Sequence, residues 1–423
     1  MRLALLLCSF SLGFCLTLED AIKSAQESNP ELKAQKHAIK SAFYNLKGDK
    51  SLYLPEVFLN FSFNRLSDKQ KLNIPTFGGF SPLAVESAKL SYKSFSAGLR
   101  EVLYDGGARE GRIGVSSSEV RLQKALYEEK LQDIKLRVIK AYLDVLSARD
   151  IVEIYDKQLE AIRAQYERAK AFYKEGLVAI TDVLQAQVRL AEVQRDLRQA
   201  EGNYSIALAN LSKLTGIKED SLKELEPLKG VSYTPESFQK LYQMALEKRP
   251  ILRVYAERLI QARMLKEIER SKYLPKVFVQ AQYTYSDQNP IISPKGVYTL
   301  SVGLNVDFQS TEPYYRMLSR LEEELRAKWE LENAKENIRL EVKQAYENLL
   351  TAMDNMKVAE ESLKYAEEFY KLSEEQYKNQ IISSTDLILA EASLTQARKN
   401  KVLSFYEYLK AHYELMRAIG DLR

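Results

Sequence analysis

Apolar and small residues recur at alternating steps of three and four along two stretches of the chain, residues 131–173 and 190–214. This spacing is the signature of a coiled-coil seam. Between the two stretches, Gly176 is suited to end a helix in the left-handed conformation. Thr181 and Asp182 carry side-chain oxygens that suit the capping of the next helix. The pattern therefore predicts two long antiparallel helices that meet at a tight turn.

The chain also contains an internal duplication. The segment YLPEVF at 53–58 recurs as YLPKVF at 273–278, 220 positions later. The Thr-Asp pair at 181–182 recurs at 385–386, 204 positions later. The spacing decreases by 16, which places a longer loop in the first copy, between residues 63 and 95. The sequence thus predicts two tandem structural repeats, each with its own helical turn.

Each copy contains a region of period two. In the second copy, apolar residues alternate with small or polar ones in two runs between residues 277 and 308. The first copy repeats the pattern at 57–63 and 95–104, with a change of phase near Glu101 that indicates a β-bulge. Runs of about ten residues with one apolar face suit tilted membrane strands. A soluble hairpin packed on helices explains the alternation equally well.

These patterns divide the chain into four parts. Each repeat opens with a helical segment that a proline, Pro30 or Pro250, breaks into a short and a longer helix. The parts are a signal peptide at 1–15, repeat one at 16–216, an exposed connector at 217–234 and repeat two at 235–423. Repeat one contains a β-hairpin at about 55–104, a long helix at about 107–173, a first tip at 174–182 and a return helix at about 183–214. Repeat two contains a β-hairpin at about 275–309, a long helix at about 312–378, a second tip at 379–386 and a return helix at about 387–420.

The first 15 residues are typical of a secretory signal. Arg2 precedes an apolar run that is too short to span a bilayer as a permanent helix, and a cut is expected before Leu16. A lipoprotein signal with Cys15 as the acylated residue is the alternative. If Cys8 and Cys15 leave with the signal, the mature chain has neither a disulfide nor a thiol site. No later stretch approaches eighteen apolar residues, so a membrane crossing would require a β-barrel.

Composition and motifs argue against several classes of function. The 62 Lys and Arg residues nearly balance the 58 Asp and Glu residues, so no basic excess indicates a nucleic-acid partner. His37 and His412 are isolated on helices and are expected to be surface residues. The glycine-rich segment at 106–114 lacks the GK[ST] ending of a phosphate-binding loop. The sequence predicts no enzyme, no cofactor and no metal site.

Four membrane strands cannot function alone. An open sheet edge in lipid leaves backbone groups unpaired, so several chains would have to share one barrel. Three chains give a barrel of twelve strands, which is wide enough to leave a passage. The four long helices predicted for each chain would then form a ring of twelve helices. The rival interpretation is a structural periplasmic coiled-coil protein without a channel, whose β-hairpins are soluble.

The chain resembles the TolC-type outer-membrane efflux proteins, the outer membrane factors, over nearly its whole mature length. The resemblance is carried by LTLEDAI at 16–22, NPEL at 29–32, YLP before each strand pair, LYDGG at 103–107 and GLVAITDV at 176–183. It implies a mixed but mainly α fold. In that fold, long antiparallel helical hairpins form a trimeric α-barrel continuous with a 12-stranded outer-membrane β-barrel, to which each chain gives four strands.

The resemblance also implies a function and a set of partners. The expected function is a passive exit duct in the outer membrane with a long periplasmic extension, serving tripartite efflux or type I secretion. The expected partners are two further copies in a homotrimer, a periplasmic adaptor protein, an inner-membrane pump of the RND or ABC type, and outer-membrane lipid. The sequence does not distinguish among drugs, metal ions and proteins as the exported cargo.

Site residues follow from the resemblance at matching positions. It assigns adaptor docking to the first tip, at Gly176, Leu177, Val178, Thr181 and Asp182. A periplasmic gate is implied as well, and its residues are Asp182, Tyr377, Ile381, Ile382 and Asp386.

The second tip departs from the family pattern. Gln380 stands where many members have Gly, Ile382 where the best-known members have Arg, and Leu389 where they have a second Asp. An Arg–Asp latch therefore cannot form between Ile382 and Asp182. Closure is expected to depend more on apolar contacts of the isoleucines. A ring of Asp386 side chains, three in a trimer, is expected to favour cations.

Overall fold

The structure is a computed structural model that describes residues 16–75, 78, 83–228, 230, 234, 236–306 and 311–422. The signal peptide expected at 1–15 lies outside the described residues, as do the strand positions Asp307 and Phe308. No helix in the described ranges is both long enough and apolar enough to cross a membrane.

Long helices dominate the chain, and a small amount of β-structure accompanies them. The helices are α1 (Leu18–Ser28), α2 (Pro30–Lys50), α3 (Ala108–Lys174), α4 (Ile180–Thr215), α5 (Phe238–Lys248), α6 (Pro250–Ser271), α7 (Glu312–Lys378) and α8 (Ser384–Ala418). The strands are β1 (Glu56–Arg65), β2 (Lys71–Ile74), β3 (Leu83–Glu86), β4 (Ser91–Tyr104), β5 (Lys276–Ser286) and β6 (Gly296–Asn305). The mainly helical fold with four long strands is confirmed.

The tandem repeats are visible in the helix lengths. Helices α3 and α7 each contain 67 residues, and they begin 204 positions apart, at Ala108 and Glu312. Helices α4 and α8 contain 36 and 35 residues. We call α3 with α4 the first hairpin and α7 with α8 the second hairpin. Pro30 and Pro250 each occupy the first position of a helix, where the missing N–H costs no hydrogen bond.

Two compact units make up the chain. The helical unit comprises Met1–His37, Ala125–Leu252 and Asn333–Arg423, and the sheet unit comprises Ala38–Lys124 and Arg253–Glu332.

The core of the helical unit lies around the middle of α3. Tyr142 is fully buried there, and its hydroxyl lies 2.9 Å from the Leu16 carbonyl and 2.8 Å from the Glu226 carbonyl. Leu16 pairs with Leu225 in a short parallel bridge, which ties the start of the described chain to the connector. The connector was expected to be exposed, and this is wrong for its apolar residues. Leu222 and Leu225 are 0% and 2% exposed because they pack into this core.

A second correction concerns His412, which was expected at the surface. It is 8% exposed and lies on the same face of α8 as Leu409 and Leu415, both buried. Helical spacing of three residues on either side places the ring on the buried stripe. Burial lowers the pKa of His412, which favours the neutral imidazole. His37 is exposed, as expected.

An ion network in the helical unit joins α3, α7 and α8 to Arg249, which lies between α5 and α6. The guanidinium of Arg249, only 4% exposed, lies 3.0 Å from Glu129 and 2.9 Å from Glu341. It also donates to the Ala418 carbonyl at 3.1 Å. Arg417 lies 2.9 Å from the same Glu129 carboxylate. The network therefore holds the junction between α5 and α6 in contact with α3, α7 and α8.

In the sheet unit, the four long strands form one antiparallel sheet in the order β1-β4-β5-β6, so β1 and β6 are its edges. The register shifts between Val102 and Tyr104, which confirms the bulge expected near Glu101. The longer loop of the first copy contains a two-stranded sheet, β2 with β3, which the sequence did not predict.

One face of the four-stranded sheet is apolar and exposed. On β6 the apolar residues Tyr298, Leu300, Val302 and Leu304 are 85%, 75%, 74% and 67% exposed. The same alternation appears on β1, where Val57, Leu59, Phe61 and Phe63 are 75%, 71%, 66% and 63% exposed. Such a face is costly in water, at about 25 cal/mol per Å² of apolar surface.

Candidate functional site

The first tip is a Schellman turn that closes α3. The Gly176 N–H donates to the Tyr173 carbonyl at 3.0 Å, and the Leu177 N–H donates to the Phe172 carbonyl at 3.0 Å. Gly176 has φ +73°, in the left-handed region, as expected for a glycine that ends a helix. A Cβ added at Gly176 would have no atom within 4 Å, so this position faces open space.

The second tip repeats the same turn without the glycine. The Gln380 N–H donates to the Tyr377 carbonyl at 3.0 Å, and the Ile381 N–H donates to the Gln376 carbonyl at 2.9 Å. Gln380 has φ +59° and is the non-glycine residue with positive φ in the described part of the chain. The backbone of this turn matches that of the first tip, and Gln380 holds a side chain in a strained conformation.

The return helices begin differently at the two tips. At the second tip, Ser383 and Asp386 form a capping box. The Asp386 carboxylate accepts from the Ser383 N–H at 3.1 Å and from its hydroxyl at 2.8 Å, and the Asp386 N–H donates to Ser383 Oγ at 3.2 Å. At the first tip the equivalent N-cap is Ala179, which makes no side-chain capping hydrogen bond.

Capping of α4 by Thr181 and Asp182 was expected from the sequence and is wrong. Helix α4 begins at Ile180, so both residues lie inside its first turn, two and three residues after the N-cap position. Ala179 holds the capping position and has no acceptor on its side chain. Asp182 is therefore not engaged in a capping box of the kind that holds Asp386.

The negative charge of Asp182, on the first hairpin, acts on Tyr377, on the second. Tyr377 is 5% exposed. Burial raises the pKa of Tyr377, and the negative charge of Asp182 acts in the same direction. One expected gate residue of the first hairpin thus influences one of the second electrostatically within one chain, whereas Asp386 is exposed and held by Ser383.

Apolar side chains are exposed at both tips. Leu177 and Ile180 are 55% and 47% exposed at the first tip, and Ile381 is 70% exposed at the second. Val178 and Ile382 are half-buried, and Thr181 is exposed. The first tip therefore presents a small residue in open space next to an exposed leucine, with the charged residues Lys174 and Glu175 exposed directly before them.

Sequence reasoning missed a set of polar contacts between the return helices α4 and α8. Thr385 Oγ1 donates to Gln185 Oε1 at 2.9 Å. Further from the tips, Arg189 Nη2 lies 3.4 Å from Glu391 Oε2. Heptad spacing orders residues within one hairpin and contains no information on which residues of the other hairpin lie opposite, so no signal in the sequence indicates these pairs.

The chain matches a known protein family, and the matched residues include both tips. The sequence model of the family described as "Outer membrane efflux protein" matches residues 21–217 and 241–421. The curated outer membrane protein TolC of Vibrio cholerae is 26% identical over 279 residues, which are 64% of this chain and 59% of that protein. The alkaline protease secretion protein AprF of Pseudomonas aeruginosa is 25% identical over 287 residues, 64% of this chain and 55% of that protein. The match thus spans under three fifths of the length of either relative.

A solved structure shows that the fold is shared over nearly the whole chain. The crystal structure of the outer membrane protein VceC from Vibrio cholerae superposes with a TM-score of 0.78 and 15% sequence identity. The superposition covers 95% of this chain and 96% of that one. At this identity the likeness concerns the fold alone.

Proposed function

The chain belongs to the outer membrane efflux protein family, and from this premise we propose that it is a passive trimeric exit duct of the outer membrane with a long periplasmic extension. The duct serves a tripartite efflux or type I secretion system. It opens when a periplasmic adaptor and an inner-membrane pump of the RND or ABC type dock on its helical end. Its cargo is selected by the pump.

The observation that carries this proposal is the four-stranded sheet. Its apolar face is exposed on both edge strands, with Leu300 and Val302 at 75% and 74% on β6 and Val57 at 75% on β1. Lipid tails are the solvent that suits such a face. In lipid, the edges of β1 and β6 need partners for their backbone groups. Three copies joined edge to edge give a closed barrel of twelve strands.

Exposed apolar stripes on the helices support the trimer. On α7, Tyr365, Phe369 and Leu372 are 66%, 52% and 52% exposed, and their spacing of four and three places them on one helix face. On α4, Leu184 and Val188 are 53% and 60% exposed. We assign these stripes to contacts between copies, since an apolar surface of this extent is otherwise unfavourable in the periplasm.

Adaptor docking is assigned to the first tip, at Gly176, Leu177, Val178, Thr181 and Asp182. The open space around Gly176 and the 55% exposure of Leu177 support this assignment, because a helical partner can approach the backbone closely there. The periplasmic gate is assigned to Asp182, Tyr377, Ile381, Ile382 and Asp386. The electrostatic influence of Asp182 on the buried Tyr377 supports it. The exposed Ile381 is expected to meet its equivalents on the symmetry axis of the trimer.

Cell fractionation followed by bilayer recording tests the proposed function. The protein is expected in the outer membrane as a detergent-stable trimer that forms discrete conducting pores in a planar lipid bilayer. A monomer recovered in the soluble periplasmic fraction, without pore activity, would instead identify the structural coiled-coil protein without a channel.

A further inference from the structure

Two cations continue the apolar face of the four-stranded sheet beyond its last apolar residues. Arg65 follows Phe63 on β1 by two positions, and successive side chains of a strand alternate between the faces, so both residues share one face. Lys93 on β4 lies directly opposite Phe63 in the register, which places it on that face as well. Both cations are exposed. The face thus changes from apolar to basic within two rows of side chains.

These cations lie at the end of the sheet that is away from the helices. Helix α2 precedes the Glu56 end of β1, and the Tyr104 end of β4 leads into α3. Arg65 pairs with Ser91 at the opposite end of both strands. In the proposed duct the helices are periplasmic, so this end of the sheet reaches the outer leaflet of the membrane.

An aromatic band lies next to the two cations on the same face. Phe95 on β4 is paired with Tyr285 on β5, and in the next row the rings of Tyr283 and Tyr298 lie 4.8 Å apart. Such bands mark the boundary between hydrocarbon and headgroups in membrane proteins. Lys93 follows Phe95 by about 7 Å along the strand, and a headgroup layer is about 5–7 Å thick on each side of a bilayer. The basic rows therefore lie at the level of the headgroups.

Neither charge is neutralised within the described part of the chain. Among those residues, no carboxylate forms a salt bridge with the Arg65 guanidinium or the Lys93 ammonium. Asp287 is already engaged by other groups. Its Oδ2 lies 3.0 Å from the Lys89 ammonium, and its Oδ1 accepts from the backbone N–H of Lys93 at 2.7 Å. Both side-chain cations are therefore available to an anion from outside the chain.

The opposite face of β1 and β4 is polar and uncharged at this level. The hydroxyl oxygens of Ser62 and Ser94 share a hydrogen bond of 2.6 Å, and Asn64 Nδ2 donates to Ser62 Oγ at 3.0 Å. On these two strands the positive charge therefore belongs to the face that we assign to lipid.

We propose that Arg65 and Lys93 form a binding site for the phosphate group of an outer-leaflet lipid. The inference rests on the proposed function, because it requires this face of the sheet to lie in lipid. A guanidinium donates two parallel hydrogen bonds to phosphate oxygens, and the Lys93 ammonium adds a compact second charge. Both side chains can extend to the headgroups while their stems rest on the apolar face. The adjacent aromatic and apolar side chains contact the acyl chains, which favours a phosphorylated lipid over free phosphate.

Native mass spectrometry of the detergent-solubilised trimer, titrated with lipid A that carries two phosphate groups, tests the site. Arg65→Gln and Lys93→Gln are each expected to weaken lipid A binding about fivefold, because each cation near an anionic lipid contributes about this factor. The double variant R65Q/K93Q should lose about 25-fold if the two contributions add. Arg65→Lys keeps the positive charge and should retain most of the affinity.

Lys295→Gln is the matched control. Lys295 is an exposed cation at the same end of the sheet, and its carbonyl accepts from the Ser286 N–H at 2.9 Å. It directly precedes Gly296, which pairs with Tyr285, and therefore lies on the other face. Its loss should leave lipid A binding unchanged. Pore formation in a planar bilayer is measured for every variant, which separates a lost site from misfolding. If Arg65→Gln forms no pores, Lys93→Gln and Arg65→Lys give the same test.

The outcomes separate the lipid site from the function on which it depends. Equal lipid A affinity of wild-type and R65Q/K93Q trimers that both form pores would overturn the site and leave the duct intact. A loss in Lys295→Gln as large as in Lys93→Gln would also overturn it, because the effect would then reflect net charge alone. Displacement of lipid A by excess inorganic phosphate would identify a site for free anions and contradict the lipid assignment. A wild-type protein that forms neither trimers nor pores would overturn the proposed function and the lipid site together.

Discussion

Gln380 adopts at the second tip the left-handed conformation that Gly176 adopts at the first, with φ +59° against φ +73°. The two residues are 204 positions apart and occupy the same place in the same turn. A residue with a Cβ pays about 1–2 kcal/mol for this conformation. The two turns therefore share one backbone shape, and the second holds conformational strain at the end of α7.

The first prediction concerns this strain. Gln380→Gly is expected to stabilise the second tip by about 1 kcal/mol, because glycine has no Cβ to strain. Amide hydrogen exchange of residues 376–386, followed by mass spectrometry, should slow by roughly fivefold. Gly176→Gln is the matched reverse change and should accelerate exchange at the first tip. Equal exchange in both variants and the wild type would show that the turns are not strained.

The second prediction concerns the missing cap of α4. Ala179→Ser supplies the hydroxyl that Ser383 supplies at the second tip, and Asp182 stands where Asp386 completes the box. The variant should stabilise the first turn of α4 by about 1 kcal/mol, and Ser383→Ala should cost α8 a similar amount. Exchange protection of residues 180–184 and 384–388 measures both effects. Protection that does not respond to either change would contradict the capping assignment.

The third prediction concerns the buried network around Arg249. Arg249→Ala leaves Glu129 and Glu341 short of one positive charge, but Arg417 remains 2.9 Å from Glu129 and compensates in part. The free energy of unfolding is therefore expected to decrease by about 3 kcal/mol, which is near the lower end of the range for removing one partner of a buried ion pair. Thermal unfolding followed by the helical circular-dichroism signal measures it. Arg198→Ala, at an exposed pair, should change stability by no more than about 0.5 kcal/mol, and an equal effect of both variants would refute the role of the network.

The fourth prediction concerns ion selectivity. Asp386→Asn removes the charge but keeps an amide oxygen that accepts capping hydrogen bonds, so α8 should start at the same residue. If three Asp386 carboxylates line the constriction of a trimer, the variant should show a reduced cation preference in the reversal potential across a KCl gradient. Asp220→Asn, at an exposed residue in the short 3-10 helix Glu219–Leu222 of the connector, is the control. An unchanged reversal potential in Asp386→Asn would remove the aspartate ring from the account.

Much of the fold follows from periodicity and duplication. The heptad seams predict the long helices, Pro30 and Pro250 mark helix starts, and the phase change near Glu101 locates the bulge of β4. These features depend on residues that are neighbours in sequence or one helical turn apart. The repeat of YLP and Thr-Asp then extends each prediction to the second copy.

The remainder depends on contacts that periodicity does not encode. His412 is buried because Leu409 and Leu415 share its helix face, and Leu222 is buried because the connector folds back on α4. The side-chain cap expected for α4 failed because the helix starts at Ile180, so Ala179 takes the N-cap. The Arg189–Glu391 pair joins residues 202 positions apart on different hairpins, which only the packed structure brings together.

We propose that the two tips differ in their roles: the first tip binds the adaptor, whereas the second hairpin supplies most of the gate residues. Leu177 and Ile381 are equivalent positions in the two turns, 55% and 70% exposed, and the same change can be made at both. The decisive measurement is native co-purification of the periplasmic adaptor with Leu177→Asp and Ile381→Asp trimers from the cells that produce the protein. We predict that Leu177→Asp trimers lose the adaptor while Ile381→Asp trimers retain it. Equal retention by both variants, or loss only with Ile381→Asp, would contradict the claim.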